Sequence, residues 1–187
     1  MTDGYTLERT DERAAELFYT LVRAVWEGME NKDLFSVGHM DLSWYEQHMR
    51  APGFGVLARD EKENPAGILI AVMPDGEERN LGEDIGLPEE ELPKVIHMDT
   101  SAVLPAHRGH RLEQRMLLFA EECLKGTPYV HMLCTIAPDN AASLKSAEKI
   151  GYRVITTKVK YGGYLRYVLR KDRPETQDPV RQPPAPV

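Results

Sequence analysis

The sequence predicts a single mixed α/β domain of the α+β kind, spanning residues 1–172. Three observations carry this. An apolar run at helical spacing occupies residues 14–29. Strand-like segments pair around short polar turns at 53–73 and again at 153–170. Between them, residues 95–150 alternate strand, helix, strand and helix. The order is β-α-α-β-β-β-α-β-α-β-β, with no internal repeat and no convincing domain boundary. A chain of 187 residues is long enough for one full core.

Taken in order, residues 5–9 read as the first strand. Thr10 offers an N-cap ahead of Asp11 and Glu12, whose carboxylates suit a helix N-terminus. Leu17, Phe18, Leu21, Val22 and Val25 then recur with helical period. Residues 31–41 read as a loop and 43–49 as a short helix. Strands at 53–60 and 66–73 are joined by the polar turn 61–65. Segment 74–94 is rich in Glu, Gly and Pro, and Pro88 fits the first position of a small helix. Next come a strand at 95–104 and a helix at 109–124, with Leu112, Met116, Ala120 and Cys123 on one face. A strand at 129–136 and a helix at 140–150 precede the closing pair, 153–160 and 164–170. From Arg173 to Val187 the chain is rich in proline and poor in large apolar residues, so it is expected to be disordered.

Composition narrows the function. A formal net charge of −7 argues against a nonspecific nucleic-acid partner. No apolar run is long enough to span a bilayer, and the N-terminus lacks the basic-then-apolar signature of a signal peptide. Cys123 and Cys134 lack metal-ligand spacing, which fits reduced thiols in a cytoplasmic protein. The six histidines are scattered, so no metal site is indicated. Gly53-Phe-Gly-Val-Leu-Ala58 matches a loose dinucleotide pattern, but it leads into a strand where a helix is required. Phosphate-loop, zinc-helix and nucleophile-elbow motifs are absent.

The stretch Leu104-Pro-Ala-His-Arg-Gly-His-Arg-Leu-Glu-Gln-Arg-Met116 stands between a strand and a helix. Helix N-termini present unpaired N–H groups and a positive dipole end, and Arg108, His110 and Arg111 add cationic character. Later, Ala137-Pro-Asp-Asn140 precedes a helix ending Glu148-Lys-Ile-Gly-Tyr152. Together, in this order, these segments resemble the GNAT superfamily of acyl-CoA-dependent N-acetyltransferases over about residues 5–171. The family pattern [RQ]-x-x-G-x-[GA] falls on Arg108-Gly-His-Arg-Leu-Glu113, where Arg111 and Glu113 replace the two small residues.

The resemblance implies a GNAT-like fold with a mixed central sheet of about six or seven strands and flanking helices. It implies acetyl transfer from acetyl-CoA directly to a primary amine of a small molecule or peptide, without a metal. A non-catalytic acyl-CoA-binding module of the same fold is the alternative, and a homodimer is left open. Cofactor contacts then fall on Val103, Arg108, Gly109, His110, Arg111, Leu112, Glu113, Asn140 and Ser143. Asn140 would also N-cap its helix.

Transfer to an amine needs a proton acceptor, because a free alkylamine has a pKa of about 10. Strict alternation puts His97, Asp99, Ser101 and Val103 on one face of the strand before the turn. The family's base commonly sits on that strand, so Asp99 is the first candidate and His97 the second. The family's tyrosine acid is replaced by Ala147. Ser143, one helical turn earlier, is expected to hold a water or touch the thiol.

Overall fold

The computed structural model describes residues 4–36, 41–74 and 79–173. Its strands are β1 (Tyr5–Thr10), β2 (Phe54–Asp60), β3 (Pro65–Val72), β4 (Val95–Val103), β5 (His131–Ile136), β6 (Arg153–Lys160) and β7 (Tyr164–Asp172). Its helices are α1 (Ala15–Glu27), α2 (Leu42–His48), α3 (Leu81–Asp84), α4 (Leu112–Cys123) and α5 (Ala141–Lys149). The strands form one seven-stranded sheet, ordered β1-β2-β3-β4-β5-β7-β6. Every neighbouring pair is antiparallel except β4 and β5.

Alternation along the central strands sends side chains into two apolar layers. Val56, Leu69, Ile96, Leu112 and Met116 pack on the α4 side. Leu57, Ile68 and Ile70 meet Phe18, Val22 and Tyr45 of α1 and α2 on the other. Phe18 and Val22 are fully buried, as the helical spacing requires, each worth about 1.5–3 kcal/mol by area.

Several boundaries move for physical reasons. The 3-10 turn Glu12–Ala14 leads into α1, and its cap is Asp11, not Thr10, with the Arg13 N–H donating to the Asp11 carboxylate at 3.1 Å. Helix α4 begins at Leu112, later than the 109 expected. Gly109 and Arg111 have φ of +85° and +56°, so the helix cannot start before them. Loop 31–41 contains the 3-10 turn Lys32–Leu34. The acidic insertion holds α3 as well as the 3-10 turn Glu89–Lys94. Arg173, assigned above to the tail, belongs to the fold: it is buried and donates to the carbonyls of Leu124 and Tyr129. The rest of the tail, 174–187, lies outside the described residues.

Two irregularities shape the sheet centre. Strands β4 and β5 pair only from Val95–His97 to His131–Leu133, so a gap opens between their C-terminal halves. In the β3–β4 ladder Ile70 faces Thr100 and Ala71 faces Met98, which leaves Asp99 as an extra, bulged residue. That residue overturns the expected alternation. Met98 and Val103 pack on the α4 side, whereas Ala102 packs with Phe18 on the α1 side. Ser101, the register partner of Leu69, faces with Val103, and Thr100 lies with Ala102. His97 therefore does not share a face with Ser101 and Val103.

Candidate active site

The gap between β4 and β5 opens a cleft of about 830 Å³, lined from both sides of the sheet. On the α4 side the lining comes from the turn after β4 and the first turn of α4, including Arg108, Gly109, Arg111, Leu112 and Glu113. Arg111 is the N-cap but makes no side-chain cap bond. The first amides of α4, those of the cleft-lining Leu112, Glu113 and Gln114, have no acceptor within their helix and none from the cap side chain. Across from them α5 contributes Asn140, Ser143 and Ala147. Asn140 caps α5, accepting from the Ser143 N–H at 3.2 Å.

Glu113 is accommodated by a bond between the helices: the Ser143 hydroxyl donates to its carboxylate. Val103 also lines the cleft. His110 does not; it is exposed and its ring lies 5.3 Å from that of Tyr5. Cys134 lies in the wall, and burial, aided by the charge of Glu113, pushes its thiol up to about 12. It stays protonated and is a poor nucleophile.

The bulge of β4 turns Asp99 into the cleft. Thr100, fully buried beside it, donates its hydroxyl to Asp99 Oδ2 at 2.8 Å. Burial, and next the negative charge of Asp99, push the Tyr45 phenol well above its ordinary range. Ser101 lines the cleft too, and its buried Oγ has no hydrogen-bond partner among the described residues. His97 is placed elsewhere. It is buried outside the cleft lining, and its Nε2 accepts the Leu81 N–H at 3.1 Å. Burial, then the nearby Lys160, lower its pKa to about 3, against a smaller raising effect of Asp84. Asp99 and Ser143 thus meet at one cleft, and His97 does not join them.

On the α1 side the wall is Val25, Met29, Glu30, Leu34 and Phe35. Lys32 fixes its start by donating to the carbonyls of Trp26, Glu27 and Met29 at the C-terminus of α1. Arg166 fixes its middle, donating to the Asp33 carbonyl at 2.7 Å. Thr135 of β5 lines the cleft and bonds the Tyr161 hydroxyl at 2.9 Å.

None of the described residues 79–94 lines the cleft. Three described acids of the insertion are engaged: Glu83 with Arg79, Asp84 with Lys160, and Glu91 with Lys94 and His131. Among the described residues no group of three or more His, Cys, Asp or Glu is arranged to hold a metal ion. No described helix is long and apolar enough to cross a membrane.

Reasoning from sequence did not select Thr100, Tyr45, Glu30 or Phe35. Alternation puts Thr100 on the face opposite Asp99, and only the bulge brings the two side chains together. The wall residues follow the end of α1, where the apolar period stops and no motif marks them.

Comparison with known proteins adds the following. A family model described as "Acetyltransferase (GNAT) family" matches residues 16–152. No curated protein matches the chain in sequence. Among solved structures, yncA, a putative acetyltransferase from Salmonella typhimurium with its cofactor acetyl-CoA, is similar at 15% identity and TM-score 0.67. That match covers 96% of this chain and 99% of the other. Aminoglycoside acetyltransferase AAC(6')-Ib in complex with coenzyme A is similar at 14% identity and TM-score 0.60, over 90% and 95% of the two chains. A spermidine N-acetyltransferase SpeG chimera from Vibrio cholerae and hSSAT gives 11% identity and TM-score 0.60, again over 90% and 95%. At these identities the structural likeness shows the fold alone.

Proposed function

The chain belongs to the acetyltransferase (GNAT) family, and from that premise we propose that it moves an acetyl group from acetyl-CoA directly to a primary amine, with Asp99 as the proton acceptor. The observation that carries this reading is the cleft itself. It joins a phosphate-ready helix start to a carboxylate at the β4 bulge, through the gap between β4 and β5.

The pyrophosphate of the donor is received by the free amides at the start of α4, from Leu112 to Gln114, with Arg108 and Arg111 beside them. Arg111 adopts the left-handed backbone that glycine favours, at a place where the family pattern carries a small residue, and this supports a cradle there despite the substitution. Val103, Asn140 and Ser143 border the path of the pantetheine arm. The acetyl carbonyl then lies in the gap, and the acceptor enters from the α1 side. Asp99 takes a proton from the ammonium, directly or through a water, and the neutral amine attacks the thioester carbonyl. The tetrahedral adduct gives its second nitrogen proton to water as it collapses, the C–S bond breaks, and CoA leaves as a thiolate. A thiol pKa of about 8.5 lets it depart without a dedicated acid, which fits the presence of Ala147 where the family carries tyrosine. His97, neutral and tied to Leu81, serves the fold. Two free cysteines agree with a cytoplasmic placement.

Two measurements test the reading. Acetyl-CoA at a hundred times its Kd adds about 2.7 kcal/mol of stability, so Tm rises by roughly 5–10 °C for a chain of this size. Asp99→Asn should keep that shift and lose about a hundredfold or more in kcat. No shift rejects the donor site. A shift without turnover of any amine favours the non-catalytic binding module instead.

A further inference from the structure

The sheet confines the lining arginines of the cleft to one side, where they stand with the Glu113 carboxylate. Its lining arginines, Arg108 and Arg111, stand on the α4 side, where the donor phosphates are received. Its lining carboxylates on the α1 side are Glu30 and Asp99, and no described Lys or Arg lines that side. The cations close to this half are committed elsewhere. Lys32 is spent on backbone carbonyls. Arg23 pairs with Glu27 at 3.2 Å. Arg166 is buried near the rings of Tyr161 and Tyr164, at 5.9 and 5.2 Å, and donates to the carbonyls of Leu165 and Asp33. Glu30, by contrast, is exposed and has no ion pair or hydrogen bond among the described residues. The rest of this wall is Gly28, Asn31 and the apolar Val25, Met29, Leu34 and Phe35.

A molecule entering this half meets negative charge and hydrocarbon. A carboxylate or phosphate on the acceptor would find no described Lys or Arg in this lining to pair with and would face Asp99 and Glu30. An ammonium finds both carboxylates, and an apolar stem finds Phe35 and Leu34. The net charge of −7 adds a long-range bias towards cations.

We infer that the acceptor is a cationic primary amine on an apolar stem that carries no carboxylate or phosphate, with Glu30 as the residue that selects for its charge. This inference rests on the acetyltransferase reading above and names the substrate class of the same cleft.

The test uses matched pairs that differ only by a carboxylate, tryptamine against tryptophan and cadaverine against lysine. Each is presented with acetyl-CoA to the full chain, and thiol release is followed. The decarboxylated member of each pair should have kcat/KM higher by about tenfold or more, equivalent to at least about 1.4 kcal/mol. Glu30→Gln should raise KM for the amines by up to about fivefold, the ceiling for an exposed ion pair, while KM for acetyl-CoA stays unchanged. The amine KM of the native chain should rise with salt, and that of Glu30→Gln less so. Equal or better turnover of the amino acids overturns the inference. So does a Tm shift with acetyl-CoA when no amine of either kind is acetylated, an outcome that leaves the donor half standing. Absence of the Tm shift removes the acetyltransferase reading, and the inference with it.

Discussion

Glu113 occupies a position where the family pattern carries a small residue, and the structure shows what the larger side chain does there. Its carboxylate crosses from α4 to α5 and takes the Ser143 hydroxyl, inside the cleft that we assign to an anionic donor. The bond supplies one proton to one oxygen and leaves the negative charge in place. At an effective dielectric near 20, a unit charge about 7 Å from a phosphate costs roughly 2 kcal/mol before salt screening. Replacing Glu113 with Ala should therefore tighten acetyl-CoA binding by about tenfold, read by calorimetric titration. The gain should shrink at high salt. A weaker Kd would mean that the carboxylate serves the cofactor, for instance by accepting from a pantetheine amide, and an unchanged one that its charge does not reach the phosphates. Thr100 teaches a related lesson at the same scale. Its hydroxyl holds one oxygen of Asp99, so the proposed base sits in a fixed orientation rather than swinging on its strand.

At the scale of elements, α3 is a four-residue helix with too little backbone to stand alone, and side chains from distant strands hold it in place. Asp84 points inward with its side chain almost wholly buried. Lys160 of β6 pairs with it, and Arg79 reaches it at 3.5 Å from the exposed side. Removing the lysine leaves a buried carboxylate with only that longer contact. Lys160→Met should cost about 3–5 kcal/mol in urea unfolding, and adding Asp84→Leu should recover most of it, because a matched apolar pair is often as stable as a buried ion pair. Failure of the double variant to recover would show that α3 needs the charge pair for its position. This pairing also explains what the sequence concealed. Segment 74–94 reads only as rich in Glu, Gly and Pro, because the partners Lys160 and His131 lie 76 and 40 residues away from Asp84 and Glu91. The seven strands were readable because period-2 patterns and turn residues are local signals. The bulge at Asp99 was not, since one extra residue reverses every later side chain without changing the pattern's appearance. Hence Asp99 could be proposed from its place in the chain, and it does line the cleft, while its companions on the face were misassigned. The wall at residues 30–35 escaped because its position depends on Arg166, more than a hundred residues on.

For the whole molecule, the fate of His97 links the site's surroundings to global stability. The imidazole lies under α3, where its Nε2 accepts from the Leu81 amide, a contact that only the neutral ring can make. Burial, with Lys160 near, holds its folded pKa at about 3, against an ordinary value of 6.5. The unfolded chain therefore binds a proton that the folded chain refuses between these two values. Stability is unaffected by this group above pH 6.5 and falls as pH drops below it, with a limiting slope of about 1.4 kcal/mol per pH unit. By pH 5 the loss reaches about 2 kcal/mol, which for a chain of this size lowers Tm by roughly 4–8 °C. The carboxylates held low in the fold, Glu91 and Asp172, lose their contributions only in the carboxylate range, at lower pH. The interval from pH 6.5 down to 5 isolates the histidine from them. His97→Gln keeps an acceptor for the Leu81 N–H and cannot titrate, so its Tm should fall less over that interval than that of the native chain. Its pH–rate profile should match the native one, because the ring lies outside the cleft lining. Equal acid sensitivity of the two proteins would show that His97 does not control the transition. A shifted pH–rate profile would return it to the chemistry, as the base that Asp99 is proposed to be.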